Sequence, residues 1–150
     1  MLFKDGSDVM IDHLITKEQL ALALAEACSI LVGQVFIVGD PDECPDLDSH
    51  IKIMCKLYHM IGDFPIHLSI NVFNPYIRNL ELGITMQKFS EKLKCKCLID
   101  DGSLDPYSML LVDGLNDMYQ VSIDEVSEDP EIFGYVIVSE KSDSSSTDSQ

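Results

Sequence analysis

The chain has 150 residues and a formal charge of −16, with an apolar fraction of 46% and no Trp. That length suits one domain with an ordinary aliphatic core, needing neither metal nor disulfide to hold it. A body this acidic repels phosphate backbones and anionic headgroups, which argues against nucleic-acid and membrane-surface binding.

The charge is not a tail effect. Residues 139–150 carry Glu140, Asp143 and Asp148 against Lys141, a net of −2, leaving −14 for the rest. Five Cys stand at 28, 44, 55, 95 and 97. The number is odd and the spacing is not that of a disulfide scaffold. Residues 1–10 contain Asp5 and Asp8 and lack the apolar core of a signal peptide. No apolar run reaches the roughly 20 residues that span a bilayer. A reducing cytoplasm is the expected location.

Along the chain, residues 1–15 mix acids with Leu2, Phe3, Val9, Met10 and Ile11 and show only that part of the segment packs. Thr16 with Gln19 three residues on has the capping-box spacing. A helix over Lys17–Leu31 follows, with Leu20, Ala23, Leu24, Ala27, Cys28 and Leu31 on one face. Gly33 ends it, and the unbroken run Gln34–Val38 reads as an inner strand. The Pro- and Gly-broken loop Gly39–Asp48 then gathers Asp40, Asp42, Glu43, Asp46 and Asp48.

Residues 51–58 alternate with period two and lean towards strand, although a helix fits nearly as well. A turn at residues 61–64 leads into the clearest strand, where Phe64, Ile66, Leu68, Ile70 and Val72 alternate with His67, Ser69 and Asn71. Pro65 places that strand at an edge or marks its start. Thr85 is positioned to cap a second helix running to Lys94, burying Met86, Phe89 and Leu93. Strands are expected at Cys97–Ile99, Met109–Val112, Met118–Ile123 and Gly134–Ser139, the middle two as a hairpin around residues 113–117. The expected fold class is α+β: a mixed or antiparallel sheet of about five to seven strands packed with two main helices. Residues 1–139 form the domain, and residues 140–150, almost entirely Ser, Asp and Thr, form a disordered tail.

No chemistry-bearing pattern emerges. Cys95 and Cys97 make one C-x-C, with Cys44, Cys55, His50, His59 and His67 elsewhere, whereas structural zinc needs ligand pairs twice over. The carboxylate pairs Asp100-Asp101, Asp124-Glu125 and Glu128-Asp129 read as a solvated face. No Gly-rich loop precedes a helix to cradle phosphate. The reading is of a chain without catalysis, metal or cofactor.

What stands out is the distribution of charge. Cys97 to Val138 contains no Lys or Arg, and neither does Glu18 to Ile51, while Lys88, Lys92, Lys94 and Lys96 gather between them. Solubility alone is met by a net charge of roughly 2–8. The excess points to a basic protein partner, which opposed charge attracts quickly and selectively. The contact candidates are Asp40, Asp42, Glu43, Asp46 and Asp48, then Asp100, Asp101, Asp105, Asp113 and Asp117, with Tyr107 and Tyr119 as aromatic anchors.

In charge and layout, residues 1–139 resemble the immunity proteins of bacterial polymorphic toxins and contact-dependent growth-inhibition systems. The resemblance rests on the acidic loop Asp40–Asp48 and the cation-free stretch Cys97–Val138, and it transfers no functional residue. It implies a cytoplasmic inhibitor that blocks a basic toxin domain, often a nuclease. Two other readings remain open at this stage. The helix at 17–31 and its following strands are similar to type III secretion chaperones, which dimerise around an effector segment, but those end in a helix where Gly134–Ser139 reads as strand. The third is a small enzyme with an unrecognised site.

Overall fold

In the computed structural model, residues 2–3, 7–39, 43, 45–126 and 134–141 are described. They form an α+β fold of three helices and one mixed sheet of nine strands. Seven of the strands answer to the seven apolar runs in the sequence, and two exceed the expected count. The first is β1, Ser7–Ile11, whose mixture of acid and apolar residues hides a strand buried on both faces. The second, β4, is only two residues, Ile61–Gly62, and lies where a turn was expected.

Helix α1, Lys17–Cys28, begins as the capping box predicts. The Thr16 hydroxyl accepts the Gln19 N–H at 3.2 Å, and the Gln19 side chain accepts the Thr16 N–H at 3.3 Å. It stops at Cys28 rather than Leu31, because Ser29 turns left-handed with φ 59°. The next strand, β2 (Val35–Val38), follows one 3₁₀ turn at Val32–Gln34. It was expected inside the sheet and is instead at its edge, hydrogen-bonded among the described strands to β3, Ile53–His59. Its run is unbroken because Val35 and Ile37 pack on the core while Phe36 is left exposed. Residues 53–59 are strand, resolving the ambiguity of their pattern.

Strand β5, Ile66–Val72, lies between β3 and β1, so Pro65 marks the strand's start and not a sheet edge. A single helical turn, α2 (Pro75–Arg78), precedes α3, Leu82–Leu93. Thr85 does not cap α3. Glu81 does, accepting the Ile84 N–H at 3.2 Å, and Thr85 is a buried residue of the first turn whose hydroxyl donates to the Glu81 carbonyl. A carboxylate beside the positive end of the helix dipole outcompetes the neutral hydroxyl. The remaining strands are β6 (Lys96–Asp100), β7 (Ser108–Asp113), β8 (Asp117–Glu125) and β9 (Gly134–Lys141). Strand β9 takes in Glu140 and Lys141, which had been placed in the tail; residues 142–150 lie outside the described residues.

The strand order is β2-β3-β5-β1-β6-β7-β8-β9-β4. Since β4 follows β3 after Met60 alone, its pairing with β9 brings the row back to its own β3–β5 hairpin. The sheet therefore curls almost into a ring. Gly134 and Gly62 allow the closing contact: a Cβ on Gly134 would collide with the Ile61 carbonyl, and one on Gly62, already at φ +92°, with the Tyr135 carbonyl. The Asp63 N–H donates to the Tyr135 carbonyl at 3.0 Å and the Ile137 N–H to the Asp63 carboxylate at 3.2 Å, extending the join.

Two cores result, one on each face. On the convex face α1 and α3 cover Val9, Ile11, Ile53, Cys55, Leu68, Ile70, Cys97 and Ile99. Lys92 of α3 reaches Glu26 of α1 at 3.2 Å. On the concave face Met10, Phe64, Leu98, Leu111, Val121 and Ile123 form a smaller core, with no helix over it among the described residues. Among the described residues no helix is long and apolar enough to cross a membrane.

Candidate partner-binding site

The acidic candidates fall in three places. Asp100, Asp101, Asp105 and Tyr107 belong to the β6–β7 connection. Asp113 and Asp117 face each other as a cross-strand pair at the other end of the β7–β8 hairpin, about 17 Å away for a six-residue strand. Glu43, Asp46 and Asp48 are exposed on the β2–β3 connection, at the end of the strand order where β2 is the edge. Asp40 and Asp42 lie outside the described residues, as does Cys44. Tyr119 is half-buried in the concave core, where burial and then Glu140 push its hydroxyl pKa up.

The β6–β7 connection is organised by its own carboxylates. Asp100 accepts the Gly102 N–H at 3.1 Å, Asp101 the Ser103 N–H at 2.9 Å and Asp105 the Tyr107 N–H at 2.9 Å. These are Asx turns, in which a short carboxylate replaces a backbone acceptor. Asp101 also accepts the hydroxyl of buried Ser108 and the Gln120 side-chain amide at 3.2 Å. Burial raises the Asp101 pKa, but the hydrogen bonds from Ser108, Ser103 and Gln120 outweigh it and hold the carboxyl below its usual range. The Tyr107 hydroxyl donates to Glu125 at 3.4 Å, and the charge of Glu125 pushes its pKa up. Leu104, at the tip, has a relative exposure of 102%, and Tyr107 of 44%.

Behind this loop a cleft of about 430 Å³ opens into the concave core. Its apolar wall is Met10, Met60, Pro106, Met109 and Ile123; Asp8, Tyr58, His59, His67 and Tyr135 complete it. Tyr58 and Met10 are the cross-strand partners of His67, which puts all three on one face. The His67 Nε2 lies 2.9 Å from Asp8, and the Tyr58 and His67 rings are 5.4 Å apart.

No family model, curated protein or solved structure matches this chain.

The site therefore stands on its own geometry. The thiols do not contribute to it. Cys28, Cys55, Cys95 and Cys97 are all buried under the helices, with the sulfurs of Cys95 and Cys97 3.9 Å apart. Burial pushes the Cys28 thiol up to about 12 and the Cys55 thiol higher. The Cys97 thiol is raised first by its hydrogen bond with Cys95 and then by burial. Such thiols are neutral and shielded, a poor setting for nucleophile or metal. Among the described residues no three His, Cys, Asp or Glu side chains converge to hold an ion.

Sequence reasoning named the loop acids and Tyr107 but passed over Leu104, Asp8 and the cleft wall. Asp124 and Glu125 were seen only as a carboxylate pair. Their placement depends on register: Glu125 pairs with Tyr135 and Asp100 with Met109. Only the topology supplies those pairings. The alternation Asp8-Val9-Met10-Ile11 was the one local sign that an acid and a Met share a face.

Proposed function

We propose that this chain is a binding protein that neutralises a basic protein domain, as immunity proteins do for their cognate toxins. The observation that carries the reading is the β6–β7 loop. It presents an exposed Leu104 and Tyr107 among Asp100, Asp101, Asp105 and Glu125, with its backbone already tied down by side-chain hydrogen bonds. Aliphatic and aromatic anchors inside a charged rim are the anatomy of an interface centre. A loop fixed before binding loses little entropy on association. The stretch that contains it, Cys97–Val138, has no Lys or Arg, and a locally one-signed charge of this kind draws a cationic partner.

A direct test is co-expression with the product of the neighbouring reading frame. Rescue of cells from a toxic, basic neighbour supports the reading; failure to rescue ends it. With the pair in hand, charge reversal at Asp100, Asp105 and Glu125 is expected to slow association about tenfold or more at low salt. The same reversal at Glu43 and Asp46 is expected to change it far less. Equal effects at both places would remove the loop from its assigned role.

A further inference from the structure

We infer that the concave cleft is the socket of this interface, shaped for one large apolar side chain flanked by Lys or Arg on the partner. The inference rests on the proposed function and adds to it the identity of the group recognised. Two independent features point the same way.

The first is the wall. Met10, Met60 and Met109 give an apolar lining of unbranched, polarisable side chains that adapt to an aromatic ring. Its volume, about 430 Å³, lies in the range of sites that enclose small groups. The second is the rim, which the strand register fixes. Met109 pairs with Asp100 across β6–β7, and Tyr135 with Glu125 across β8–β9, so each carboxylate stands on the same face as a wall residue. Pro106, also in the wall, follows Asp105 directly in the chain. Asp8 is in the wall itself, paired with His67. An apolar hole with a carboxylate in its wall and two more beside wall residues on the same face selects an apolar group beside positive charge and rejects the same group beside negative charge. The cleft is also continuous with the Leu104–Tyr107 loop through Pro106, so one partner segment spans both. The chain's own residues 142–150 contain no apolar side chain to fill it.

The test uses the full chain with carbon-13 at the methionine methyls, three of which line the cleft while Met86 and Met118 do not. It is titrated with acetyl-Arg-Trp-Arg-amide, acetyl-Glu-Trp-Glu-amide and acetyl-Arg-Ala-Arg-amide. The first is expected to shift the Met10, Met60 and Met109 signals and spare Met86 and Met118. The second is expected to bind at least about five-fold more weakly, the scale of one exposed ion pair. The third is expected to leave the cleft signals still. Asp100→Asn, which keeps the side-chain carbonyl that accepts the Gly102 N–H, should narrow the gap between the first two peptides. The inference is overturned if the alanine peptide shifts the same methyls, if both Trp peptides bind alike, or if none does. Failure to rescue cells from the toxic neighbour would sink the proposed function instead, whatever the peptides do.

Discussion

The convex and concave faces of the sheet are enclosed by different means. On the convex side α1 and α3 bury Leu20, Leu24, Met86 and Phe89 completely against β1, β3, β5 and β6. On the concave side the cover among the described residues is the sheet's own curl, closed through Ile61–Gly62 and Gly134–Tyr135. Met60, Met109, Tyr135 and Ile137 are left partly open there. Helices supply complete burial of the strands beneath them, and the clefts on that side, of about 340 and 450 Å³, are edged by Lys88, Lys92 and Lys94. A curl supplies a wall with a mouth. The division gives the convex face the more complete burial, and on the proposed function it leaves recognition to the concave one.

Truncation should separate the two most sharply. Phe89→Ala empties a site with no exposure and is expected to cost about 3–5 kcal/mol in urea unfolding. Met109→Ala, at the cleft wall, is expected to cost well under half of that, because water already reaches the site. Comparable losses would mean that the concave core carries as much of the fold as the helical one.

Alkali should strike the convex face. The Cys28 thiol ionises at 9.0 when unperturbed and at about 12 in the fold, because burial disfavours the thiolate. A raised folded pKa means that this contribution is intact below pH 9 and is lost as pH rises from 9 towards about 12, where only the unfolded chain ionises. Cys55 adds to the same fall. Stability measured across that window should drop steeply, and Cys28→Ala should flatten the drop. An unchanged slope in Cys28→Ala would show that the thiol is open to solvent.

Closure of the curl is the next place to press. Gly134→Ala sets a methyl against the Ile61 backbone carbonyl, and overpacking of this kind costs about 1–3 kcal/mol. The damage should stay on the concave side. The Met60 and Met109 methyl signals are expected to move while Met86, between the helices, does not. Movement at Met86 would mean that the two cores unfold as one from the seam.

These unequal faces explain what was legible in the sequence. The helices and the alternating strand at Ile66–Val72 announce themselves, since period and capping are local properties. Burial under α1 and α3 follows from the same patterns. The curl does not. It depends on a two-residue strand, on β1 disguised by Asp8, and on a parallel contact between residues 61–62 and 134–135, far apart in sequence. The loop acids were visible as charge, but the pairings of Asp100 with Met109 and Glu125 with Tyr135 that turn charge into a rimmed cleft are register facts. Asp113 and Asp117 look equivalent to Asp100 and Asp101 in the sequence, and one strand length separates them in space.

The smallest expected effect tests how firmly the binding loop is held before any partner arrives. Asp101 is the loop's main tie, and its carboxyl is kept low by Ser108, Ser103 and Gln120 against the opposing pull of burial. A depressed folded pKa contributes stability that is present above the ordinary value of 3.8 and disappears as pH falls through the lower folded value. Acid should therefore loosen the concave side just as alkali loosens the convex one. Ser108→Ala removes one hydrogen bond to the carboxylate, so the Asp101 pKa should climb back towards 3.8 in a carbon-13 titration. Because Asp101 is partly exposed to water, the accompanying loss of stability should be about 1 kcal/mol or less. The decisive readout is local: amide exchange at Ser103 and Tyr107 should quicken in Ser108→Ala at neutral pH, while exchange in α1 and α3 stays as it was. If the loop amides exchange at the same rate with and without the Ser108 hydroxyl, the Asx turns alone fix the loop, and the tie through Asp101 to β7 and β8 is dispensable to its shape.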